Sequence, residues 1–380
     1  MNFKKEEAVS IAVQCAQLYS KNNNNKDFLF VCGTLDNPAL LPGWNRSIMA
    51  SRREKSMQTI GIQEMAGLRI GQVEDAKAGT GCTVLLCPEG MRAGLDVRGG
   101  GPSSRESQLL NPLMAAEVLH GIVLAGGSSF GLGAADGVMR FLEEKGVGLD
   151  VGITKVPLVA QSDIFDLTVG DSHLRPDSAM GYEAARLAWE APNYKDGNFG
   201  AGCGASVGKW CGMEYAMKTG VGSYVMRLGS LEVGALVVLN ALGDVFDWKN
   251  ARQVAGLLGE DKKSLRDSFQ VMKEASHIAD NKFVNNTTIG VVFTNAYFEK
   301  AALCKIAGMA QDGMARAINP VHTSADGDSL YAVSLGDTRA DRDLVGTLAA
   351  EAVSEAILQA VSAAESAFGL PAARDLGFLP

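Results

Sequence analysis

No Cys-x-x-Cys pair occurs among the seven cysteines (Cys15, Cys32, Cys82, Cys87, Cys203, Cys211, Cys304), and the four histidines (His120, His173, His277, His322) form no His-x-x-x-His pair. A zinc framework or other bound metal is therefore not expected, and scattered thiols in odd number fit a reducing cytoplasm better than a disulfide scaffold. Basic residues are in deficit: 35 Lys and Arg face 43 Asp and Glu, a formal charge of -8. Nucleic acid and an anionic membrane are thus excluded as expected main partners. No apolar run approaches the roughly 18 residues of a membrane span, and no apolar h-region follows Met1-Asn2-Phe3-Lys4-Lys5-Glu6-Glu7, so no secretory signal is expected. These absences predict a cytoplasmic protein without metal or cofactor.

What is present is apolar bulk and glycine. Hydrophobic residues make up 47% of 380, enough for a sizeable core, and the 44 glycines fall in clusters that suggest backbone packed close to backbone or to a ligand. Residues 1–65 look like an N-terminal extension: helical spacing over Glu6–Tyr19, then Asn22-Asn23-Asn24-Asn25 and loop markers at Pro38, Pro42 and Gly43. Residues 66–380 form the main domain. Short apolar runs at Cys82–Cys87, His120–Ala125, Thr288–Thr294 and Ser329–Leu335 read as strands, and Gly222–Arg227 with Glu232–Asn240 as a hairpin. Helical patterns cover Ala134–Glu144, Ala179–Glu190, Tyr297–Ile318 and Asp341–Phe368. The charged stretch Asp247–Asp280 reads as a mobile surface segment leading to Asn286.

Chemistry concentrates at Asn285-Asn286-Thr287-Thr288, at the mouth of an apolar strand. If the bond between Asn286 and Thr287 were cut, Thr287 would carry a free amine, with a pKa near 8, beside its own hydroxyl. That is the N-terminal-threonine form of nucleophile activation. The same residues also suit a plain turn. A strand running into Gly126-Gly127-Ser128-Ser129-Phe130-Gly131 and then a helix has the geometry of an anion site. It lacks both the dinucleotide spacing and the P-loop lysine, so a substrate-facing loop or a tight turn are the alternatives. Lys209 follows a glycine ladder, where a solvated surface charge is the ordinary reading. Asn240 ends a strand, where Asn is usually a turn former; Asp326-Gly327-Asp328 reads ordinarily as a turn, but if extended it sets two carboxylates on the same side, where each would raise the other's pKa unless a cation or donors face them.

Taken together, Gly79-Thr80-Gly81-Cys82-Thr83, Asp96-Val97-Arg98-Gly99-Gly100, Gly126-Gly127-Ser128-Ser129-Phe130-Gly131-Leu132, Ala134-Ala135-Asp136-Gly137-Val138, Asn286-Thr287-Thr288 and Asp326-Gly327-Asp328 resemble the P1 (DmpA-like) family of self-cleaving peptidases. This family holds β-peptidyl aminopeptidases, L-aminopeptidase/D-Ala-esterases and nylon-oligomer (6-aminohexanoate) hydrolases. Threonine at 287 and the Asp-Gly-Asp segment look most like the nylon-oligomer branch. The resemblance implies an α/β fold, a layered αββα sandwich of the type shared with ornithine acetyltransferases, cut between Asn286 and Thr287 into two intertwined fragments. It implies Thr287 as nucleophile, Asp326 and Asp328 as orienting carboxylates, Asn240 as oxyanion donor and Lys209 as a charge near the nucleophile. Gly127, Ser128, Ser129, Phe130 and Phe165 are expected to face substrate; some family members carry Tyr at the position of Phe165. A small peptide or amide substrate and a homo-oligomer, tetramer or larger, are expected. An acyltransferase and a processed but inactive binding protein are the competing expectations.

Overall fold

The structure is a computed structural model, and it describes residues 57–275 and 286–379. The helical pattern at Glu6–Tyr19 lies outside the described residues. Twelve strands carry the architecture needed here. They are β1 (Met57–Ile60), β2 (Arg69–Asp75), β3 (Thr80–Val97), β4 (Ser103–Arg105), β5 (Leu119–Ala125), β6 (Val159–Asp163), β7 (Val221–Leu228), β8 (Leu231–Val238), β9 (Asp244–Asp247), β10 (Arg252–Ala255), β11 (Ile289–Ala296) and β12 (Ser329–Thr338). Five α-helices accompany them: α1 (Ala134–Glu144), α2 (Ser178–Glu190), α3 (Ser268–Glu274), α4 (Lys300–Ala317) and α5 (Arg342–Ala363).

Ten strands form one hydrogen-bonded sheet: nine follow the path β1-β7-β8-β11-β12-β3-β5-β6-β4, and β2 pairs β3 off the path. Strand β3 belongs to both halves. Its first part pairs β2 and β5, its last part pairs β12, and its register shifts between Leu86 and Met91.

Side-chain alternation turns this path into layers. Leu85, Ile122 and Leu124 meet Leu236, Val291, Phe293 and Tyr331 in one core between the two halves. Their neighbours Val84, Leu86 and Val123 point the other way, against Val138 and Phe141 of α1 and Ala184 of α2. On the opposite side Val292, Leu330 and Ala332 pack on Leu303 and Ile306 of α4 and Val353 and Ile357 of α5. Strands buried on both faces are apolar at successive positions, as in Val291-Val292-Phe293. The result is helix, sheet, sheet, helix. Helices α1 and α2 cross closely because a Cβ on Gly137 would meet Ser178 O at 1.9 Å and one on Gly181 would meet Ala134 O at 1.9 Å.

Helix α5 is long and apolar enough to cross a membrane by composition, yet it packs along β7, β8 and α4 as a core helix. It starts one residue after Asp341, whose side chain accepts from Leu344 N at 2.9 Å, an N-cap.

Two expectations are corrected. Strand β1 already pairs β7, so the folded body begins before residue 66. The stretch from Asp247 is not a mobile connection over its described part, since it holds β10 and α3. The Asp244 carboxylate ties it down, accepting from Leu257 N (2.8 Å), Ser268 N (2.7 Å) and Ser268 Oγ (2.7 Å).

Candidate active site

The ends of β8, β11 and β12 meet at one place. Chain order brings Asn240 there two residues past β8, Thr287 two residues before β11, and Asp328 immediately before β12. Parallel pairing of β11 with β12 aligns Ile289 with Ser329 and places Asn286 beside Asp326. Thr287, Asp326, Asp328, Asn240 and Lys209 are all buried, at 4%, 2%, 1%, 0% and 3% exposure.

Thr287 N donates to Asn240 O at 2.8 Å, while Thr287 Oγ donates to the carbonyl of Asn286, the residue it follows. That carbonyl also accepts from Gly327 N at 3.1 Å. Gly327 must be glycine here, since a Cβ would come within 2.7 Å of Thr287 Oγ and 2.8 Å of Gly101 O. Asp328 Oδ1 accepts from Thr288 N (2.8 Å), and its Oδ2 faces His322 N (3.1 Å) and His322 Nδ1 (2.8 Å). Asp326 accepts from Thr323 N (3.0 Å), Thr323 Oγ (2.5 Å) and Leu242 N (3.4 Å). Behind both carboxylates lies the bend after β3. Arg98 N donates to Asp328 O at 3.0 Å and Gly101 N to Asp326 O at 2.8 Å, and a Cβ on Gly99 would sit 2.2 Å from Asp328 N.

Asn240 is the hub. Its Oδ1 accepts from Lys209 Nζ (2.8 Å) and Ser206 N (3.1 Å), and its Nδ2 donates to Phe165 O (3.0 Å). The Asn286 carbonyl, for its part, accepts from Gly327 N and Thr287 Oγ. Lys209 is not a solvated surface charge. Burial pulls its pKa down to about 7, with Asp326, Asp166 and Asp328 opposing that fall.

Phe165 reaches this cluster through its backbone carbonyl. The Gly127–Phe130 turn connects one step further out, through Asp166. Gly127 N donates to Asp166 Oδ1 at 2.7 Å and Thr80 Oγ to Asp166 Oδ2 at 2.7 Å. A Cβ on Gly126 would lie 1.9 Å from Asp166 Oδ2. The glycine turn with anion-site geometry therefore holds a carboxylate of its own chain. Ser128 donates its N–H to Ile164 O at 3.0 Å; Ser129 and Phe130 are exposed, with the Arg175 guanidinium 3.8 Å from the Phe130 ring centroid.

Asp166, Lys218 and His322 were not read from sequence as site residues. Lys218 has no motif around it, yet it is fully buried and its Nζ donates to Gly202 O (3.1 Å), Ala205 O (3.1 Å) and Thr219 O. His322 stands six residues before Asp328. That spacing is a signal only once the turn between them is known.

The buried charges set a pH dependence of stability. Burial pushes Asp166, Asp244 and Asp326 up to about 6 from an ordinary 3.8, with Asp328 adding to the rise at Asp326. Between those values the folded state binds more protons than the unfolded chain, so stability falls as pH rises from about 4 to about 6. Lys209 and Lys218 are pulled down to about 7 from 10.5, burial being the main cause. Above about 7 the unfolded chain binds more protons, so stability climbs again towards pH 10. Thermal melts across pH 4–10 should show this trough near pH 6–7. Lys218→Met should lose part of the climb above pH 7, and an unchanged slope in that variant would dismiss the assignment.

Comparison with known proteins now bears on this geometry. The model of peptidase family S58 matches residues 61–373. The chain belongs to peptidase family S58. An uncharacterized aminopeptidase of Mycobacterium leprae is 37% identical over 342 residues, covering 82% of this chain and 92% of the relative. The 6-aminohexanoate-oligomer endohydrolase of an Agromyces strain is 30% identical over 314 residues, covering 78% and 84%. Among solved structures, a Burkholderia β-aminopeptidase superposes with a TM-score of 0.57 at 20% identity, covering 83% of this chain and 94% of that one. The L-aminopeptidase D-Ala-esterase/amidase of Ochrobactrum anthropi, described as a variant of the Ntn-hydrolase fold, gives 0.58 at 18% identity, covering 83% and 91%. This S58 protein is a hydrolase acting on amide bonds, as the family and the aminopeptidase and oligomer-hydrolase relatives indicate. The DmpA-like resemblance read from its glycine and threonine motifs holds.

Proposed function

We propose that the protein cuts itself between Asn286 and Thr287, and that the freed Thr287 then hydrolyses small peptides or amino-acid oligoamides through an acyl-threonine ester. The contact of Thr287 Oγ with the Asn286 carbonyl, whose oxygen already accepts from Gly327 N at 3.1 Å, carries this reading.

Oγ attacks the Asn286 carbonyl carbon as its proton leaves to a base. We assign that base to Lys209: its Nζ lies 3.3 Å from the Asn240 carbonyl that also accepts from Thr287 N, and burial pulls its pKa down to about 7. Negative charge develops on the Asn286 oxygen, where the Gly327 N–H stabilises it. The C–N bond breaks, the departing nitrogen takes a proton, and an ester joins Asn286 to Thr287 Oγ. Water then releases the Asn286 carboxylate. The new amine stays by Asn240 O, the partner of its amide precursor at 2.8 Å. In turnover the amine takes the Oγ proton, Oγ attacks a substrate amide, and water clears the acyl group. Asp328 holds the strand mouth through Thr288 N, and Asp326 braces Leu242 next to Asn240.

Purified protein should run as two bands on a denaturing gel, and the smaller should begin at Thr287. The processed protein should hydrolyse members of a panel of amino-acid amides, dipeptides and 6-aminohexanoate oligomers. A persistent single chain, or a new terminus elsewhere, would refute the self-cleavage. Turnover only with an amine acceptor in place of water would make the protein an acyltransferase.

A further inference from the structure

We propose that His322 is a positioning residue: its imidazole fixes the Asp328 carboxylate, and through it the mouth of the strand that carries Thr287. The proposal rests on the Thr287 reading above.

Asp328 is 1% exposed and each of its oxygens has its own task. Oδ1 accepts from Thr288 N at 2.8 Å, the residue after the nucleophile. Oδ2 takes the backbone N of His322 at 3.1 Å and its Nδ1 at 2.8 Å. Rotation of the carboxylate would release Thr288, and the imidazole is the only side chain holding Oδ2 among the hydrogen bonds of the described residues. A carboxylate facing backbone N–H groups is an acceptor, so Nδ1 carries hydrogen and donates.

The backbone of His322 has φ of 56°, in the left-handed region that costs a non-glycine residue energy and that is held where surrounding structure demands it.

Three variants test this. His322→Ala removes the tie. His322→Asn puts an amide N–H where Nδ1 stood, and His322→Gln puts one nearer the Nε2 position. Rates of self-cleavage and kcat and KM on amino-acid amides are measured for each, with melting temperatures. The expected result is a fall of about 10- to 100-fold in kcat for His322→Ala, the scale of a misplaced reacting group, with KM little changed. His322→Asn should recover most of it and His322→Gln should not. Wild-type kcat in His322→Ala, or recovery by Gln and not by Asn, would overturn the proposal. If the Ala variant does not fold, the Asn and Gln pair decides. In wild type, ¹⁵N–¹H spectra should show the His322 ring protonated at Nδ1, with the signal assigned by its loss in His322→Asn. A neutral ring protonated only at Nε2 would also overturn it. Thr287→Ala separates the two readings. If that variant still hydrolyses amides, the nucleophile assignment fails, while the ring spectrum still reports on the Asp328 tie.

Discussion

Thr287→Ala is expected to remain one uncut chain and to lose amide hydrolysis by several orders of magnitude. Removing a hydroxyl nucleophile that works with a dedicated base costs on the order of 10⁶ in kcat. In the proposed mechanism one hydroxyl does both jobs. The Oγ that contacts the Asn286 carbonyl is the Oγ that would attack substrate once the chain is cut. Both activities should therefore disappear together, while folding survives, because the change removes only two side-chain atoms, Oγ and Cγ2. Thr287→Ser should keep both, since the hydroxyl and the backbone nitrogen at Asn240 O are unchanged. The measurement is a denaturing gel with mass spectrometry, followed by amide hydrolysis by the same preparations. An Ala variant that cuts itself, or hydrolyses amides at the wild-type rate, would remove Thr287 from the mechanism.

Lys209→Met should have the second-largest effect. Lys209 Nζ holds Asn240 Oδ1 at 2.8 Å, and Asn240 O in turn holds the Thr287 nitrogen. Loss of this ammonium or amine should slow turnover by roughly 10²–10³-fold, the range found for one preorganised polar group in an active site. It should also move the pH profile. After processing, Lys209, pulled to about 7, and the Thr287 amine, with a reference value of about 7.7–8.0, titrate as a coupled pair. A charged Lys209 favours the neutral amine and lowers its pKa. Wild-type kcat/KM should rise through pH 6–8, and the Met variant's rising limb should shift to higher pH. Asp328→Asn should shift it lower, because a negative neighbour is gone. Lys209→Met also loses the base assigned to self-cleavage and should cut itself more slowly, so profiles are taken on the processed fraction of each variant. A limb that stays in place in both variants would mean that neither side chain senses the amine, and the charge roles would fall.

Much of the architecture was legible because it rests on local chemistry. The apolar runs around Val291 and Val123 are buried on both faces and read as strands without help from partners. Asp177, Asp267 and Asp341 cap helices from the adjoining residue. The glycine motifs were visible as motifs, but their reasons were not. Gly99 makes room for Asp328, which is 229 positions away by number, and Gly126 makes room for Asp166. Likewise, nothing near Lys209 says that burial awaits it, and nothing near Asp247 says that Asp244 will clamp Ser268. Sequence shows which residues are unusual. It does not show which distant backbone closes over them.

The order of the central strands has one more consequence. Residues beyond the Asn286–Thr287 bond supply β11 and β12, and these lie side by side with β8 on one flank and β3 on the other. A cut at that bond would leave the shorter piece wedged between two strands of the longer one, held by both ladders and by α4 and α5. The two pieces would melt as one body, yet once parted they would have to find each other as separate molecules, without the short covalent path that sets their register. Under the proposed cut, the uncut chain would be the assembly jig for the mature protein. Processing would discard the jig and keep the shape, so a processed sample should be tenacious while folded and poor at regaining its form after full denaturation.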